Sequence, residues 1–224
     1  MKWTFVLLGL SLWWNSAACG GTIRGTVKAQ GREEVQETDG GKYDSRKFKF
    51  APKINYAALR DFVVYIDEPP ATKPAPPKPV QVVTQKDATF KPHVLPVLVN
   101  TVVEWPNEDE IFHNVFSISD RNEFDLDLYK RPAVKKVTFK HPGRVDVFCS
   151  IHKDMHCIVL VLENPHFAVT DARNQYVITN VPPGTYRLKA WHERVPSSVK
   201  EVTVPAEGEV RVDFVLGFSG QNKD

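Results

Sequence analysis

Val145-Asp146-Val147-Phe148-Cys149-Ser150-Ile151-His152-Lys153-Asp154-Met155-His156-Cys157-Ile158-Val159-Leu160-Val161-Leu162 is the stretch on which the reading of this chain turns. Val145, Val147 and Cys149 alternate with polar or bulky neighbours, the period of a strand with one buried face, and Cys157 to Leu162 is an unbroken apolar run of strand length. The segment therefore reads as strand, tight loop, strand, with Cys149 ending the first strand and facing inward. A thiol, an imidazole and a thioether follow at i, i+3 and i+6 (Cys149, His152, Met155). On a helix these positions diverge around the axis, whereas a loop between two strands can curl all three toward one point.

Outward from this stretch the same rhythm continues. β-type runs stand at Thr22–Lys28, Phe62–Ile66, Val94–Val99, Thr101–Trp105, Val134–Phe139, Tyr176–Thr179, Tyr186–Trp191, Lys200–Val204 and Val210–Leu216, separated by Gly, Pro and Asn. The best helical candidate, Asn55–Asp61, is brief, so the fold class is all-β. The chain has 224 residues with 42% apolar side chains, enough for one large or two small cores, and a net charge of +2 that gives no broad field for nucleic acid or an anionic membrane. Residues 1–18 read as an export signal: Lys2, the apolar run Trp3–Trp14, too short to span a bilayer, and the small residues Ser16-Ala17-Ala18. Cys19 follows the expected cut and is a candidate lipid anchor, although Ser16 stands where a lipobox has Leu. The expected location is a bacterial periplasm or an equivalent exported space, with no membrane span.

Residues 69–79 hold six prolines and read as a stiff extended connector, while Glu163-Asn164-Pro165 closes the last strand of a central unit, residues 80–163. On either side lie Gly21-Thr22-Ile23-Arg24-Gly25-Thr26-Val27, Phe62-Val63-Val64-Tyr65-Ile66, Thr170–Ile178 and Asn180-Val181-Pro182-Pro183-Gly184-Thr185-Tyr186-Arg187-Leu188. These runs resemble the opening strands, turn and Pro-Gly-Thr-Tyr hairpin of carboxypeptidase-regulatory, transthyretin-like β-sandwiches. The resemblance implies a discontinuous second sandwich over 20–68 and 164–217 with the central unit inserted in it. The alternative is two domains in series, residues 20–79 adding strands to the central unit.

Thiolate, imidazole and thioether are the ligand types of a blue-copper site, which needs a second imidazole from elsewhere. His113 meets that need, in the polar loop that follows Trp105: Pro106-Asn107-Glu108-Asp109-Glu110-Ile111-Phe112-His113-Asn114-Val115-Phe116. With these residues in view, the region from about Val80 to Leu162 resembles plastocyanin/amicyanin-like cupredoxins, proteins often labelled methylamine-utilisation-protein-like, which are Greek-key β-sandwiches. The resemblance implies one type 1 copper ion held by His113, Cys149, His152 and Met155, with Asn114 tying the two ligand loops together. It also implies a protein that passes single electrons between a redox donor and an acceptor docking transiently near His152. Asn100 stands where such proteins usually have Gly at a turn, and Asn tolerates the left-handed conformation. Phe112, Val115 and Phe148 are expected to form an apolar shell around the site.

His156 and Cys157 leave two other readings open: a Cys149–Cys157 disulfide, and a zinc site of Cys149, His152, His156 and Cys157. Cys157 reads otherwise as a buried core residue. His93, His141, His166 and His192 read as surface or packing residues, and Glu108-Asp109-Glu110 as a solvated acidic cluster able to steer a basic partner. No Ser-His-Asp set, no Gly-rich phosphate loop and no second group of histidines for a second copper is legible, so the expectation is a carrier and not an enzyme. Copper carriage or storage without redox cycling is the alternative function, and a scaffolding pair of sandwiches with a structural metal is a third.

Overall fold

Strand formation follows burial on one face. In the computed structural model, which describes residues 20–31, 54–68 and 80–217, strand β1 (Gly21–Gln30) turns Ile23, Gly25 and Val27 inward and Arg24 and Lys28 to water. The export signal, Cys19 and the proline-rich connector lie outside the described residues. As the strand rhythm predicts, the described chain is all-β, and the helical candidate reduces to a single 3-10 turn, Tyr56–Ala58.

β1 lies between β14 (Gln175–Val181), antiparallel to it, and β17 (Glu209–Arg211), parallel to it, and β18 (Phe214–Gly217) pairs farther along β1. A second sheet runs β13 (Phe167–Val169), β2 (Val63–Ile66), β15 (Gly184–His192), β16 (Val195–Val204). The two sheets meet in one core, with Ile23, Val27, Phe62, Val64, Ile66, Ile178, Leu188 and Phe214 among its buried residues. β1 and β2 take no strand partner between residues 81 and 162 among the described residues; they pair only with strands from Phe167 onward.

The strands between 81 and 162 form a separate set. One sheet runs β10 (Val134–Phe139), β7 (Thr101–Pro106), β3 (Gln81–Val82), and a hairpin joins β4 (Thr84–Lys86) to β5 (Thr89–Lys91). The larger sheet runs β6 (Val94–Leu98), β12 (His156–Leu162), β11 (Gly143–Phe148), β8 (His113–Ser117), β9 (Phe124–Tyr129). Their shared core is built on Trp105, Phe90, Phe139, Val103, Val145, Val147, Val159 and Val161. Each such side chain, removed fully from water, contributes about 1.5–3 kcal/mol of transfer free energy. At the turn from β6 to β7, Asn100 takes the left-handed conformation, φ 69°.

The unbroken apolar runs at β2 and β12 have their cause here, because both strands are buried on both faces. Val63 and Tyr65 of β2 and Leu160 and Leu162 of β12 turn away from their own sandwiches. They meet with Val94, and with Phe167 and Trp191 packed alongside, in a third apolar layer between the two bodies.

Candidate metal centre

β11 and β12 pair up to Phe148↔His156, which leaves residues 149–155 as the connecting loop. The loop is closed from within: Met155 N–H donates to the His152 carbonyl at 3.0 Å, and Cys149 N–H donates to the Met155 carbonyl at 3.3 Å. Cys149 and Met155 are buried while His152 stays partly open to solvent. β8 is the neighbour of β11 on the other side, and His113, which the sequence places in a polar loop, is its first residue and is fully buried.

The fold brings His113, Cys149 and His152 together, with one ligand atom of each within 4.8 Å of the others. His113 Nδ1 stands 3.1 Å from His152 Nδ1, and Cys149 Sγ stands 3.6 Å from His152 Nδ1. On its far side His113 Nε2 donates to Asp109 Oδ2 at 2.8 Å. A carboxylate accepts only, so the His113 proton is on Nε2 and the Nδ1 lone pair faces the cluster. Met155 lies in the same core as Cys149 and Val115. A sulfur and two imidazole nitrogens converging in a largely dry pocket fit copper or zinc chemistry.

Asp109 is the residue that sequence reasoning missed. Its carboxylate, only 16% exposed, accepts from the backbone N–H groups of Asp87 and Ala88 at 2.9 and 3.0 Å as well as from His113. Burial pushes its pKa up, but these hydrogen bonds outweigh burial and hold it below the usual carboxylate value. Asn107 fixes the loop that presents it, accepting from Asp109 N–H and donating to the carbonyls of Ile111 and Tyr129. An Asp four residues before a candidate ligand histidine was the available signal, hidden in what reads as a solvated cluster.

Asn114 joins the two ligand segments, its Oδ1 accepting from Ser150 N–H at 3.2 Å and its Nδ2 donating to Asp125 at 2.6 Å. Its backbone N–H points at Cys149 Sγ, 3.5 Å away. Of the expected apolar shell, Val115 is fully buried and Phe148 partly so, but Phe112 is half exposed at 49%, with Lys130 Nζ 5.2 Å from its ring centroid. Cys149 and Cys157 are free thiols, and burial pushes the Cys157 thiol far above its ordinary value. Nor does the four-residue zinc set gather: His113 joins Cys149 and His152, while His156 Nε2 turns to Asp146 at 2.9 Å. His156 instead stands with His93 and Glu193, a second histidine group that the spacing along the chain does not reveal.

No protein-family model and no curated protein matches this chain. Among solved structures it is similar to a Cu-containing nitrite reductase from Thermus scotoductus, with 28% identity over 43% of this chain and 25% of that one, at a TM-score of 0.36. It therefore spans a quarter of that enzyme's length. It is also similar to a reduced variant of amicyanin, with 22% identity over 38% of this chain and 85% of that one (TM-score 0.36). A purple cupredoxin from Nitrosopumilus maritimus matches with 21% identity over 37% of this chain and 99% of that one (TM-score 0.33).

Proposed function

We propose that His113, Cys149, His152 and Met155 hold one type 1 copper ion and that this exported protein carries single electrons between redox partners. The observation that carries the proposal is the convergence of two imidazole Nδ1 atoms on the Cys149 sulfur, with the His113 proton committed to Asp109. Bound copper supplies a one-electron couple at such a donor set. The protein's part is to keep the donors still: β8 and the β11–β12 loop are cross-tied by Asn114, and His113 is clamped by Asp109. A set that need not rearrange between Cu(I) and Cu(II) suits transfer and assigns the chain no substrate turnover of its own.

His152 is the partly open ligand and serves as the exit for the electron. Around it the two ligand loops present Ile111, Phe112 and Ile151, each about half exposed (50%, 49% and 52%). A small apolar face of this kind suits a brief encounter with a redox partner. We read the chain as an inserted arrangement, residues 80–163 within a sandwich of 20–68 and 164–217 resembling transthyretin-like domains, a reading that the strand pairing of β1 and β2 supports.

The test is the visible spectrum of the mature protein loaded with Cu(II), beside Cys149→Ser. An intense thiolate-to-copper band, absent in the variant and bleached reversibly by reductant, is expected. Copper uptake without reversible bleaching points to carriage instead, and the absence of any such band overturns the site.

A further inference from the structure

His93 sits just before β6, His156 opens β12 and Glu193 lies in the turn between β15 and β16, so three distant segments from both bodies meet at one place. One ring nitrogen of each histidine and one Glu193 oxygen lie within 4.8 Å of one another. His93 Nδ1 is 3.2 Å from the His156 carbonyl oxygen, which only accepts, so the His93 proton belongs on Nδ1. That leaves a lone pair on Nε2, and Nε2 faces Glu193 Oε1 at 2.9 Å. In the neutral ring two lone pairs meet at that distance, and either a second ring proton or a metal ion has to stand between them.

The surroundings are those of a metal ligand set. Histidines that bind metal hold their second nitrogen on a backbone carbonyl or a carboxylate, which fixes tautomer and ring orientation. His93 does the first and His156 does the second, through Asp146 at 2.9 Å. Asp146 is in turn held by a two-pronged bond from Arg144, at 2.7 and 2.8 Å. The His156 ring is stacked on Phe148, centroids 4.8 Å apart, which restrains it further. The side chains of His93 and Glu193 are 38% and 19% exposed, so an ion can enter and complete its shell with water.

We propose that His93, His156 and Glu193 form a second metal site, for a divalent ion of the zinc or copper type, that ties the β15–β16 turn to the central sandwich. Two imidazoles and a carboxylate are a donor set such ions favour. Ligand atoms on a tetrahedral zinc stand about 3.3 Å apart for bonds of roughly 2.0–2.1 Å. The His93–Glu193 pair therefore has to open by less than about half an ångström, at a partly exposed position. The site stands on its own geometry and does not depend on the Cys149 centre.

The test uses the full mature chain carrying Cys149→Ser, which disables the first cluster, stripped with a chelator and titrated calorimetrically with Zn2+. One zinc equivalent is expected to bind and to raise the melting temperature. Adding His93→Gln or Glu193→Gln is expected to weaken that equivalent at least tenfold and abolish the thermal shift, with near-UV circular dichroism confirming that each variant is folded. Zinc binding within twofold of the parent in both added variants, or no uptake by the parent, makes the cluster a plain histidine–glutamate ion pair and overturns the proposal.

Discussion

Asp109→Asn probes the claim that a carboxylate sets the His113 tautomer. The Asp109 carboxylate takes three donors: Asp87 N–H on Oδ1, and Ala88 N–H with His113 Nε2–H on Oδ2. An amide keeps one acceptor oxygen. With that oxygen on Ala88 and His113, the amide NH2 faces the Asp87 N–H and the bond to His113 becomes neutral. Charge-assisted bonds are roughly twice as strong as neutral ones, about 1.5–3 against 0.5–1.5 kcal/mol, so the loss at His113 is about 1–1.5 kcal/mol. The bond to Asp109 is made without metal as well, so only the part of this loss that metal binding adds reaches the affinity, and at 1.4 kcal/mol per decade copper affinity falls by up to about tenfold. Asp109→Ala removes the acceptor altogether and should reach the upper part of the ~10–100-fold range that such outer partners carry. The assay is competitive titration of Cu(I) against a chelator, with urea unfolding of the apo forms run in parallel. If both variants hold copper within about twofold of the parent while their apo forms lose stability, Asp109 is only a loop clip and the tautomer argument is wrong.

Three other outcomes follow from the same geometry. The Tyr129 hydroxyl accepts from Gln85 Nε2 at 2.6 Å and donates to the Trp105 carbonyl at 2.7 Å inside the core, so Tyr129→Phe, which removes both bonds but leaves Gln85 Nε2 donating to the Trp105 and Pro106 carbonyls, should cost about 1–3 kcal/mol in urea unfolding. His192 is buried 4.9 Å from Phe62, and burial depresses its pKa; the unfolded chain therefore takes up its proton first. The stability this contributes is present above about pH 6.5 and is lost as the pH falls from there toward the folded value. His192→Gln should accordingly shrink the difference between urea midpoints measured at pH 7.5 and pH 5, and an unchanged difference would exclude His192 as its source. Ile151→Lys places a charge on the apolar face beside His152, where two copies meet like charge to like charge, and electron self-exchange followed by NMR line broadening should slow about tenfold while the visible band is retained.

How much of this was legible in the sequence depended on whether the cause was local. Alternation along β1 and β7, and the Cys149–Met155 spacing between two strand patterns, are local signals, and the structure carries strands and a loop there. The run Val210–Leu216 shows where local signals fail: it divides into β17 and β18, each pairing with a different stretch of β1. β8 and β9 were missed because His113 and Asn114 look polar and Phe124-Asp125-Leu126-Asp127-Leu128 carries two acids. Burial of the first pair is set by hydrogen bonds to Asp109, Asp125 and Ser150, partners that no periodicity exposes. His93, His156 and Glu193 were out of reach for the same reason, lying up to a hundred residues apart and meeting only because β6, β12 and the β15–β16 turn converge.

That convergence also explains why β12 has no polar face. A strand at the heart of one sandwich needs only its inner side apolar, yet Leu160 and Leu162 are buried outward against Val63 and Tyr65 of β2. Pinning β12 from both sides fixes His156 at its start, and Met155 just before it, against sliding along the sheet, because a one-residue slip would turn Leu160 and Leu162 away from this layer and bring the shorter Val159 and Val161 out of the central core in their place. The second sandwich thereby acts on the Cys149 loop through packing on β12, more than 20 Å of chain if counted from Leu162 at about 3.3 Å per residue back to Met155. His93, anchored by the Ile158 N–H on its carbonyl at 2.8 Å and by Glu193 on its ring, clasps the same strand at its other end. The two bodies thus grip β12 at Leu160–Leu162 and at His156, and the ligand loop leaves from the gripped end.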